Sequence, residues 1–169
     1  MTRDEFLQMA IKAARASSAE SGLPAGITVA QAALESAWGK SALSRQANNY
    51  FGIKAHGKHI YVEMQTTEVV AGQRHRVNAR FAAYDNMQQC FADRDRLIRT
   101  SAFYAEARAK ASEPESFVRA LAKHWATDPN YAEKILRIYR ENNLDKLDRN
   151  GDGSLDACGE HETISAPGS

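Results

Sequence analysis

The sequence predicts an α+β fold that is mostly helical, with a small β-hairpin inserted after the second helix. Apolar residues recur at three- and four-residue spacing over most of the chain, which is typical of amphipathic helices. β-Branched residues and tyrosine cluster between residues 60 and 84, and a glycine-containing turn divides that cluster. Hydrophobic residues make up 43% of the 169 residues, enough for the core of one domain.

Capping patterns predict the first two helices. Thr2 and Glu5 have the spacing of a capping box, and helical periodicity follows from residue 3 to about residue 20. A segment containing Gly and Pro interrupts this periodicity. Thr28 and Gln31 repeat the capping-box spacing, so they predict the start of the second helix, which a glycine at position 39 is expected to end.

The hairpin is predicted over residues 60–70 and 77–84, with a turn at residues 71–73, and the segment 40–59 before it is expected to be irregular. Three further helices follow. They are expected over residues 87–98, after a cap formed by Ser112 and Glu115, and from Asp128–Pro129.

The composition changes to Asp, Gly, Asn and Ser near residue 144, which predicts one main domain over residues 1–144 and a tail over residues 145–169. The two cysteines, Cys90 and Cys158, are expected to be free thiols, and a disulfide between them is an open alternative. Arg94, Arg96 and Arg99 are expected on a solvated helix face.

Charge and hydropathy argue against two kinds of interaction, general binding to nucleic acid and insertion into a membrane. Basic and acidic residues number 22 and 21, so the net charge of +1 offers no general attraction to nucleic acid. No stretch approaches the ~20 apolar residues of a membrane span, and the N-terminus lacks a signal-peptide core. We expect a monomer. We also expect it to reach its place of action through a phage, a secretion system or a larger parent protein.

Glu35 is the residue whose surroundings best indicate chemistry. It lies in an apolar segment, near the predicted C-terminal end of the second helix and close to Trp38. The negative end of the helix dipole and partial burial both disfavour an ionised carboxylate. A carboxylic acid that keeps its proton near neutral pH can act as the general acid in glycosidic bond cleavage.

Four motifs carry a resemblance to a known family. They are Ala30–Ser41, which contains Ala-Leu-Glu-Ser, then residues 48–55 (Asn-Asn-Tyr-Phe-Gly-Ile-Lys-Ala), 66–68 (Thr-Thr-Glu) and 126–132 (Ala-Thr-Asp-Pro-Asn-Tyr-Ala). In this order and spacing they resemble glycoside hydrolase family 73, the β-N-acetylglucosaminidases of bacterial autolysins and of flagellar rod assembly. The resemblance spans about residues 2–142.

The resemblance implies a lysozyme-like fold, in which a helical lobe and a β-lobe flank a groove, and hydrolysis of β-1,4 bonds in peptidoglycan without a cofactor. It implies that Glu35 is the general acid and that Glu68, in the β-lobe motif, is the second catalytic carboxylate. Glu63 is the alternative. An odd separation places Glu63 and Glu68 on opposite faces of a regular strand, so at most one of them can face the groove. Either a glucosaminidase or a muramidase specificity is expected.

The resemblance also implies that the groove binds sugar through amide and aromatic side chains. The candidates are Trp38, Asn48, Asn49, Phe51, Trp125 and Tyr131. The family usually has Tyr where this chain has Trp125, so any role that requires a phenol oxygen is in doubt at that position. Core packing is the competing interpretation for Phe51, Trp125 and Tyr131.

A calcium site is predicted in the tail. The sequence from Asp148 to Asp156 reads Asp-x-Asn-x-Asp-Gly-x-x-Asp, the first nine positions of an EF-hand-type loop. The oxygen ligands would come from Asp148, Asn150, Asp152, Ser154 and Asp156. Gly159 stands where the loop usually has a bidentate Glu, and the nearby Glu160 and Glu162 are alternatives for that ligand. No clear helix follows the loop, so a complete EF-hand is not expected.

The sequence also permits two alternatives to a hydrolase that acts on the periplasmic or extracellular cell wall. A lytic transglycosylase on the same fold needs only one acidic residue and leaves anhydro-sugar ends. A non-catalytic, calcium-dependent wall-binding module would bind peptidoglycan and release no fragments.

Overall fold

The structure is a computed structural model and describes residues 1–149. Within these residues it confirms the predicted mostly helical α+β class, with one two-stranded antiparallel sheet. The helices are α1 (Arg3–Ser21), α2 (Ala25–Ser36), α3 (Ala42–Ala47), α4 (Met87–Thr100), α5 (Ala105–Ala109), α6 (Pro114–Trp125) and α7 (Tyr131–Glu141). The strands are β1 (Tyr61–Val70) and β2 (Gln73–Ala82), and 3-10 helices cover Ala102–Tyr104 and Leu144–Asp148.

The N-terminal helix has the predicted capping box, in which Thr2 and Glu5 each accept from the other's backbone N–H. The predicted start of α2 is wrong. Thr28 lies inside the helix, where its hydroxyl donates to the Pro24 carbonyl at 3.1 Å, and the helix begins at Ala25. The proline provides the reason, because its fixed φ suits a helix start and Thr28 then satisfies its hydroxyl one turn back.

Helix α2 is the central element, with ten of its 12 residues buried. The 3-10 helix at Leu144–Asp148 crosses its N-terminal end at Gly26, where a Cβ would lie 2.2 Å from the Leu144 carbonyl oxygen. The Asp148 carboxylate accepts from the Gly26 N–H at 2.9 Å and from the Tyr139 hydroxyl at 3.0 Å. This contact therefore anchors one end of the helix whose other end carries Glu35.

The C-terminal end of α2 is held by a left-handed turn. Ala37, Trp38 and Gly39 have φ values of 51°, 57° and 80°, and the Gly39 N–H donates to Ser36 Oγ at 2.9 Å. The predicted stop at Gly39 thus falls within the terminating turn, although the helix itself ends at Ser36. Glu35 occupies the last turn of the helix.

The predicted hairpin is confirmed, although β2 begins at Gln73, before the start predicted at residue 77, and the turn is shorter than predicted. β1 and β2 pair in an unbroken register along all ten residues of each strand. Ala71 and Gly72 form the turn with φ values of 53° and 80°, as a two-residue hairpin connection requires. The chain before β1 adds a short bridge at the edge of the sheet, where Lys54 pairs with Phe81.

Several local expectations were wrong. The segment 40–59 contains α3, and α5 was not expected, because helices of one or two turns show too little periodicity to detect. Ser112 does not cap α6, which begins with Pro114 at its first position and has no side-chain cap. Helix α7 begins at Tyr131 rather than at Asp128–Pro129.

The core extends from α1 to Leu147. Cys90 lies in it and has no disulfide partner within residues 1–149, and burial raises the pKa of this thiol to about 12. Cys158 is outside the described residues, so its pairing stays a prediction, as does the domain division after residue 144. No helix within residues 1–149 has the length and apolar character needed to cross a membrane.

Candidate active site

The Glu35 side chain is half-buried and has one specific partner, because the Tyr131 hydroxyl of α7 donates to Glu35 Oε2. Burial raises the pKa of Glu35, and the Tyr131 hydrogen bond opposes this effect without cancelling it. A carboxyl group with a raised pKa retains its proton closer to neutral pH than a solvated one does. The position is therefore suited to proton donation.

Glu35 opens onto a groove. In the stretch next to Glu35 this groove is lined by Phe51, Gly52, Lys123, His124, Trp125, Ala126 and Thr127. The adjoining stretch is lined by Gly52, Ile53, Lys54, His56, Leu97, Tyr104 and Trp125. Because Gly52 and Trp125 border both stretches, the two form one continuous surface that extends from the carboxyl group toward the base of the hairpin.

The loop that forms the groove floor is organised by Asn49, which is 1% exposed. Its amide donates to the carbonyls of Ile53 and Ala82 at 2.9 and 2.8 Å, and its Oδ1 accepts from the N–H groups of Phe51 and Ile53. Asn48 similarly donates to a backbone carbonyl, at 3.1 Å. Both predicted substrate amides therefore make hydrogen bonds within the protein.

The aromatic candidates near the groove lie at different depths. Phe51 is buried with its ring centroid 4.9 Å from that of Phe91, yet it also borders the groove. Trp125 is half-buried, lines both stretches and has its ring centroid 5.8 Å from that of Tyr104. Tyr131 is 5% exposed and supplies a phenol hydroxyl to the catalytic candidate, although position 125 has none.

Trp38 faces away from the groove. Its ring makes an edge contact with Phe6 at a centroid distance of 5.8 Å, and the Arg3 guanidinium carbon lies 4.3 Å from the Trp38 ring centroid. The left-handed turn after α2 directs the side chain toward α1, and Trp38 borders neither stretch of the groove. Its proximity to Glu35 in sequence does not make it a neighbour of the groove.

The unbroken hairpin register separates the two candidate carboxylates of β1. Glu68 lies on the half-buried face, where its carboxylate pairs with the Lys54 ammonium, and Lys54 lines the groove. Glu63 lies on the exposed face and pairs with Arg80 at 3.2 Å. The alternation that left this choice open in the sequence places Glu68 on the half-buried face, although Glu68 itself lines neither stretch of the groove.

Arg94 was predicted to lie on a solvated helix face, and this prediction is wrong. Arg94 is fully buried, and its guanidinium donates to Gln31 Oε1 and to the Asp95 carboxylate. The other two arginines of that group are exposed as predicted. A signal was available, because Arg94 follows Phe91 by three residues and precedes Ile98 by four, which is the spacing of the apolar stripe of α4.

One of the predicted calcium ligands, Asp148, lies within the described residues, and its oxygens accept hydrogen bonds at the N-terminal end of α2. Within residues 1–149, no group of three or more His, Cys, Asp or Glu side chains is arranged to hold a metal ion. The other ligands lie outside the described residues; they are Asn150, Asp152, Ser154 and Asp156.

Several known proteins are similar to this chain in sequence. It is 35% identical over 127 residues to the exo-glucosaminidase LytG of Bacillus subtilis, with 72% of this chain and 45% of that protein covered. The peptidoglycan hydrolase FlgJ of Pseudomonas aeruginosa is 34% identical over 145 residues, with 82% and 36% covered. A probable N-acetylmuramidase of Lactococcus lactis is 33% identical over 152 residues, with 86% and 35% covered. The chain spans less than half the length of these relatives.

Solved structures share the fold. The catalytic domain of the autolysin Auto from Listeria monocytogenes superimposes with a TM-score of 0.78 at 29% identity, covering 86% of this chain and 87% of that one. A mutant peptidoglycan hydrolase from Sphingomonas sp. A1 gives 0.73 at 36% identity, covering 86% and 97%. The family profile described as mannosyl-glycoprotein endo-beta-N-acetylglucosaminidase matches residues 11–144. The chain therefore belongs to the glucosaminidase family of glycosidases, glycoside hydrolase family 73.

Proposed function

We propose that this domain hydrolyses β-1,4 glycosidic bonds in the glycan strands of peptidoglycan, with Glu35 as the general acid. The observation that carries the proposal is a half-buried carboxyl group with a raised pKa at the edge of an open groove, in a glycosidase family. The relatives named as peptidoglycan hydrolases support the choice of substrate.

In the proposed reaction Glu35 gives its proton to the oxygen of the leaving sugar as the glycosidic bond breaks. The remaining sugar acquires oxocarbenium-like positive charge, which a carboxylate can stabilise. Water then completes the hydrolysis at the anomeric carbon. Burial of Glu35 favours the neutral acid before the reaction, and the Tyr131 hydroxyl is in place to stabilise the carboxylate that forms.

We propose Glu68 as the carboxylate that stabilises this charge or positions the water. Its place on the half-buried face of β1, in contact with the groove-lining Lys54, supports the choice, since Glu63 lies on the opposite, exposed face. The pairing of Glu68 with Lys54 is an exposed ion pair, and such pairs contribute at most about 1 kcal/mol. Substrate can therefore displace Lys54 from Glu68 at little cost.

Sugar recognition is assigned to groups that remain available in the groove. Trp125 offers a flat ring at the junction of the two stretches, and Gly52 leaves the backbone of the floor open to close approach. Phe51 borders the groove but is 1% exposed, so its role is to support the groove floor. Asn48 and Asn49 act by shaping the floor, because their amides are hydrogen-bonded within the protein.

The decisive experiment is mass spectrometry of the fragments released from purified cell walls, after borohydride reduction. Hydrolysis gives reducing ends that borohydride converts to sugar alcohols, and the Glu35→Gln variant should release no fragments while keeping its fold. Anhydro-sugar ends would instead identify a lytic transglycosylase. Binding to the wall without fragments from the wild-type chain would identify a wall-binding module.

The same spectra assign the bond that is cleaved. A new N-acetylglucosaminitol end identifies a glucosaminidase, and a new N-acetylmuramitol end identifies a muramidase. Both specificities occur in the names of the relatives. We propose the cell wall as the place of action, with delivery by a phage, a secretion system or a parent protein.

Calcium binding in the tail stays a proposal supported by the sequence pattern alone. Asp148 already accepts hydrogen bonds from Gly26 and Tyr139, one on each oxygen, so a cation would have to share these oxygens with them. Calorimetry with calcium, with magnesium as the reference and Asp152→Asn as the control, tests the proposal. Heat from calcium that the variant loses would support a site, whereas equal traces for both proteins would remove it.

A further inference from the structure

A line of buried hydrogen bonds connects α4 to the catalytic candidate. The Arg94 guanidinium donates to Gln31 Oε1 through Nε at 3.0 Å and through Nη2 at 2.8 Å. Gln31 Nε2 donates to the Tyr131 hydroxyl oxygen at 3.0 Å, and the Tyr131 hydroxyl donates to Glu35 Oε2. Because Gln31 and Glu35 are one turn apart on α2, both meet the same tyrosine.

The direction of every bond in this line follows from its first member. A guanidinium has only donors, so the atom of Gln31 that faces Arg94 must be the amide oxygen. The amide nitrogen then faces Tyr131 and donates to its oxygen. The hydroxyl hydrogen of Tyr131 is consequently free to point only toward Glu35.

Arg94 itself is fixed on its other side. Its Nη1 donates to Thr28 Oγ1 and to Asp95 Oδ1, both at 2.8 Å, and Asp95 Oδ2 accepts from the Ser21 hydroxyl at 2.7 Å. The guanidinium is 0% exposed and its charge is balanced by Asp95. A planar fork held at several points cannot rotate away from Gln31, which a lysine ammonium could do.

We propose that Arg94 is a positioning residue for the general acid. Acting through Gln31 and Tyr131, it reserves Oε2 of Glu35 as a hydrogen-bond acceptor, so that Oε1 carries the acid proton. Oε1 is the oxygen next to the groove floor, 3.8 Å from the position that a Cβ on Gly52 would occupy. This inference rests on the proposed role of Glu35 as the acid.

The line of hydrogen bonds also has a predictable effect on pH dependence. A hydrogen bond donated to Oε2 stabilises the carboxylate, so it lowers the pKa of Glu35 against the larger effect of burial. Removing that bond should raise the pH at which the acid loses its proton. The other titratable groups beside Glu35 in the groove are Lys123 and His124, which every variant below retains.

The first test is the Gln31→Met variant, which keeps the Arg94 charge and interrupts the line. We expect the basic limb of the pH profile of kcat to move upward by less than about one pH unit, because Tyr131 keeps its hydroxyl but Gln31 no longer orients it toward Glu35 Oε2. We expect kcat at the optimum to fall about tenfold with KM unchanged, because the proton is misplaced and no substrate contact is lost.

The Tyr131→Phe variant and the double variant test whether the residues act in series. Tyr131→Phe removes the bond to Oε2 itself and should move the limb upward by about one pH unit, since a hydrogen bond to a charged group contributes about 1.5 kcal/mol. Adding Gln31→Met to it should change the limb no further. Independent structural roles would instead give additive losses and lower melting temperatures with an unmoved limb. That pattern, or an unmoved limb in Gln31→Met alone, would overturn the proposal.

A matched pair of arginine variants separates positioning from packing. Arg108 is half-buried and donates to the Ile98 and Ser101 carbonyls at 2.7 and 2.6 Å, without a link to Glu35. Arg94→Met should move the limb, whereas Arg108→Met should lower only the melting temperature. If Arg94→Met does not fold, the Gln31→Met result decides.

The proposal and the proposed function can fail separately. Turnover by Glu35→Gln would refute the role of Glu35 as the acid. Even then, NMR titration of the Glu35 carboxyl carbon would report on the line of hydrogen bonds, because Gln31→Met should raise its pKa relative to the wild-type chain. An unchanged titration would refute the positioning role of Arg94 while leaving the glycosidase function intact.

Discussion

The two candidate catalytic carboxylates stand in opposite surroundings. Glu35 is half-buried on α2, whose N-terminal end is fixed by Asp148 and whose C-terminal end is fixed by a left-handed turn. Glu68 lies on a two-stranded hairpin, about a third exposed, with an exposed lysine as its partner. One carboxyl group is held by buried contacts, and the other is held by a weak ion pair on a small sheet.

This difference matches the two roles proposed for the carboxyl groups, proton donation and charge stabilisation. Proton donation requires a carboxyl group with a raised pKa and a fixed direction, and buried helices provide both. Stabilisation of charge on a bound sugar requires only that a carboxylate approach it, and a partly exposed side chain on a two-stranded sheet has rotamer freedom to do so. The predictions below test the comparison, beginning with the largest expected effect.

The Glu35→Gln variant should lose at least about 1000-fold in kcat, because the amide cannot donate a proton to the leaving oxygen. Its melting temperature should stay close to that of the wild-type chain, since the amide can still accept from Tyr131. Turbidity loss of a cell-wall suspension measures the rate, and thermal unfolding measures the stability. Turnover close to that of the wild-type chain would contradict the assignment.

The Glu68→Gln variant should lose about 100-fold in kcat, because only the charge that stabilises the reacting sugar is removed. The matched control is Glu63→Gln on the other face of the same strand, for which we expect a change below about twofold. Equal losses in the two variants would show that the face of the strand does not decide the role.

The Gly26→Ala variant tests the fixed support of α2 and should cost about 3 kcal/mol of unfolding free energy, because its Cβ would overlap the Leu144 carbonyl oxygen. The control is Gly57→Ala, where φ is +62° and no atom lies within 4 Å of the added carbon. This control should show only backbone strain of about 1 kcal/mol. Urea denaturation of both variants provides the comparison.

The Asp148→Asn variant tests the same support through pH. Burial raises the pKa of Asp148 to about 6, above its value in the unfolded chain. The folded state therefore binds this proton more tightly, and the resulting stability is present below about pH 4 and is lost as the pH rises through about 6. The wild-type chain should lose about 2 kcal/mol over this range relative to the variant.

Thermal unfolding of both proteins between pH 4 and pH 7 measures the Asp148 effect. The asparagine oxygen can still accept from the Gly26 N–H, so the variant should remain folded throughout. Parallel curves for the two proteins would show that Asp148 is solvated in solution and does not hold the end of α2.

Local patterns in the sequence were sufficient for the elements that depend on near neighbours. The capping box at Thr2 and Glu5, the alternating hairpin and the apolar segment around Glu35 each involve residues a few positions apart. Helix and strand periodicity is a property of such short windows, so it can be recognised without the rest of the molecule. The motifs of the family are equally short, and they indicated Glu35 as the candidate acid.

Other features were decided only by tertiary packing. Arg94 contacts Gln31 across 63 positions, and Tyr131 contacts Glu35 across 96, so no short window contains either pair. Trp38 turned toward α1 because the left-handed turn after α2 set its direction. The sequence by itself determined which residue is the candidate proton donor. The packing of α2, α4 and α7 decided how its carboxyl group is hydrogen-bonded, because the direction of a buried hydrogen bond depends on groups brought together only by folding.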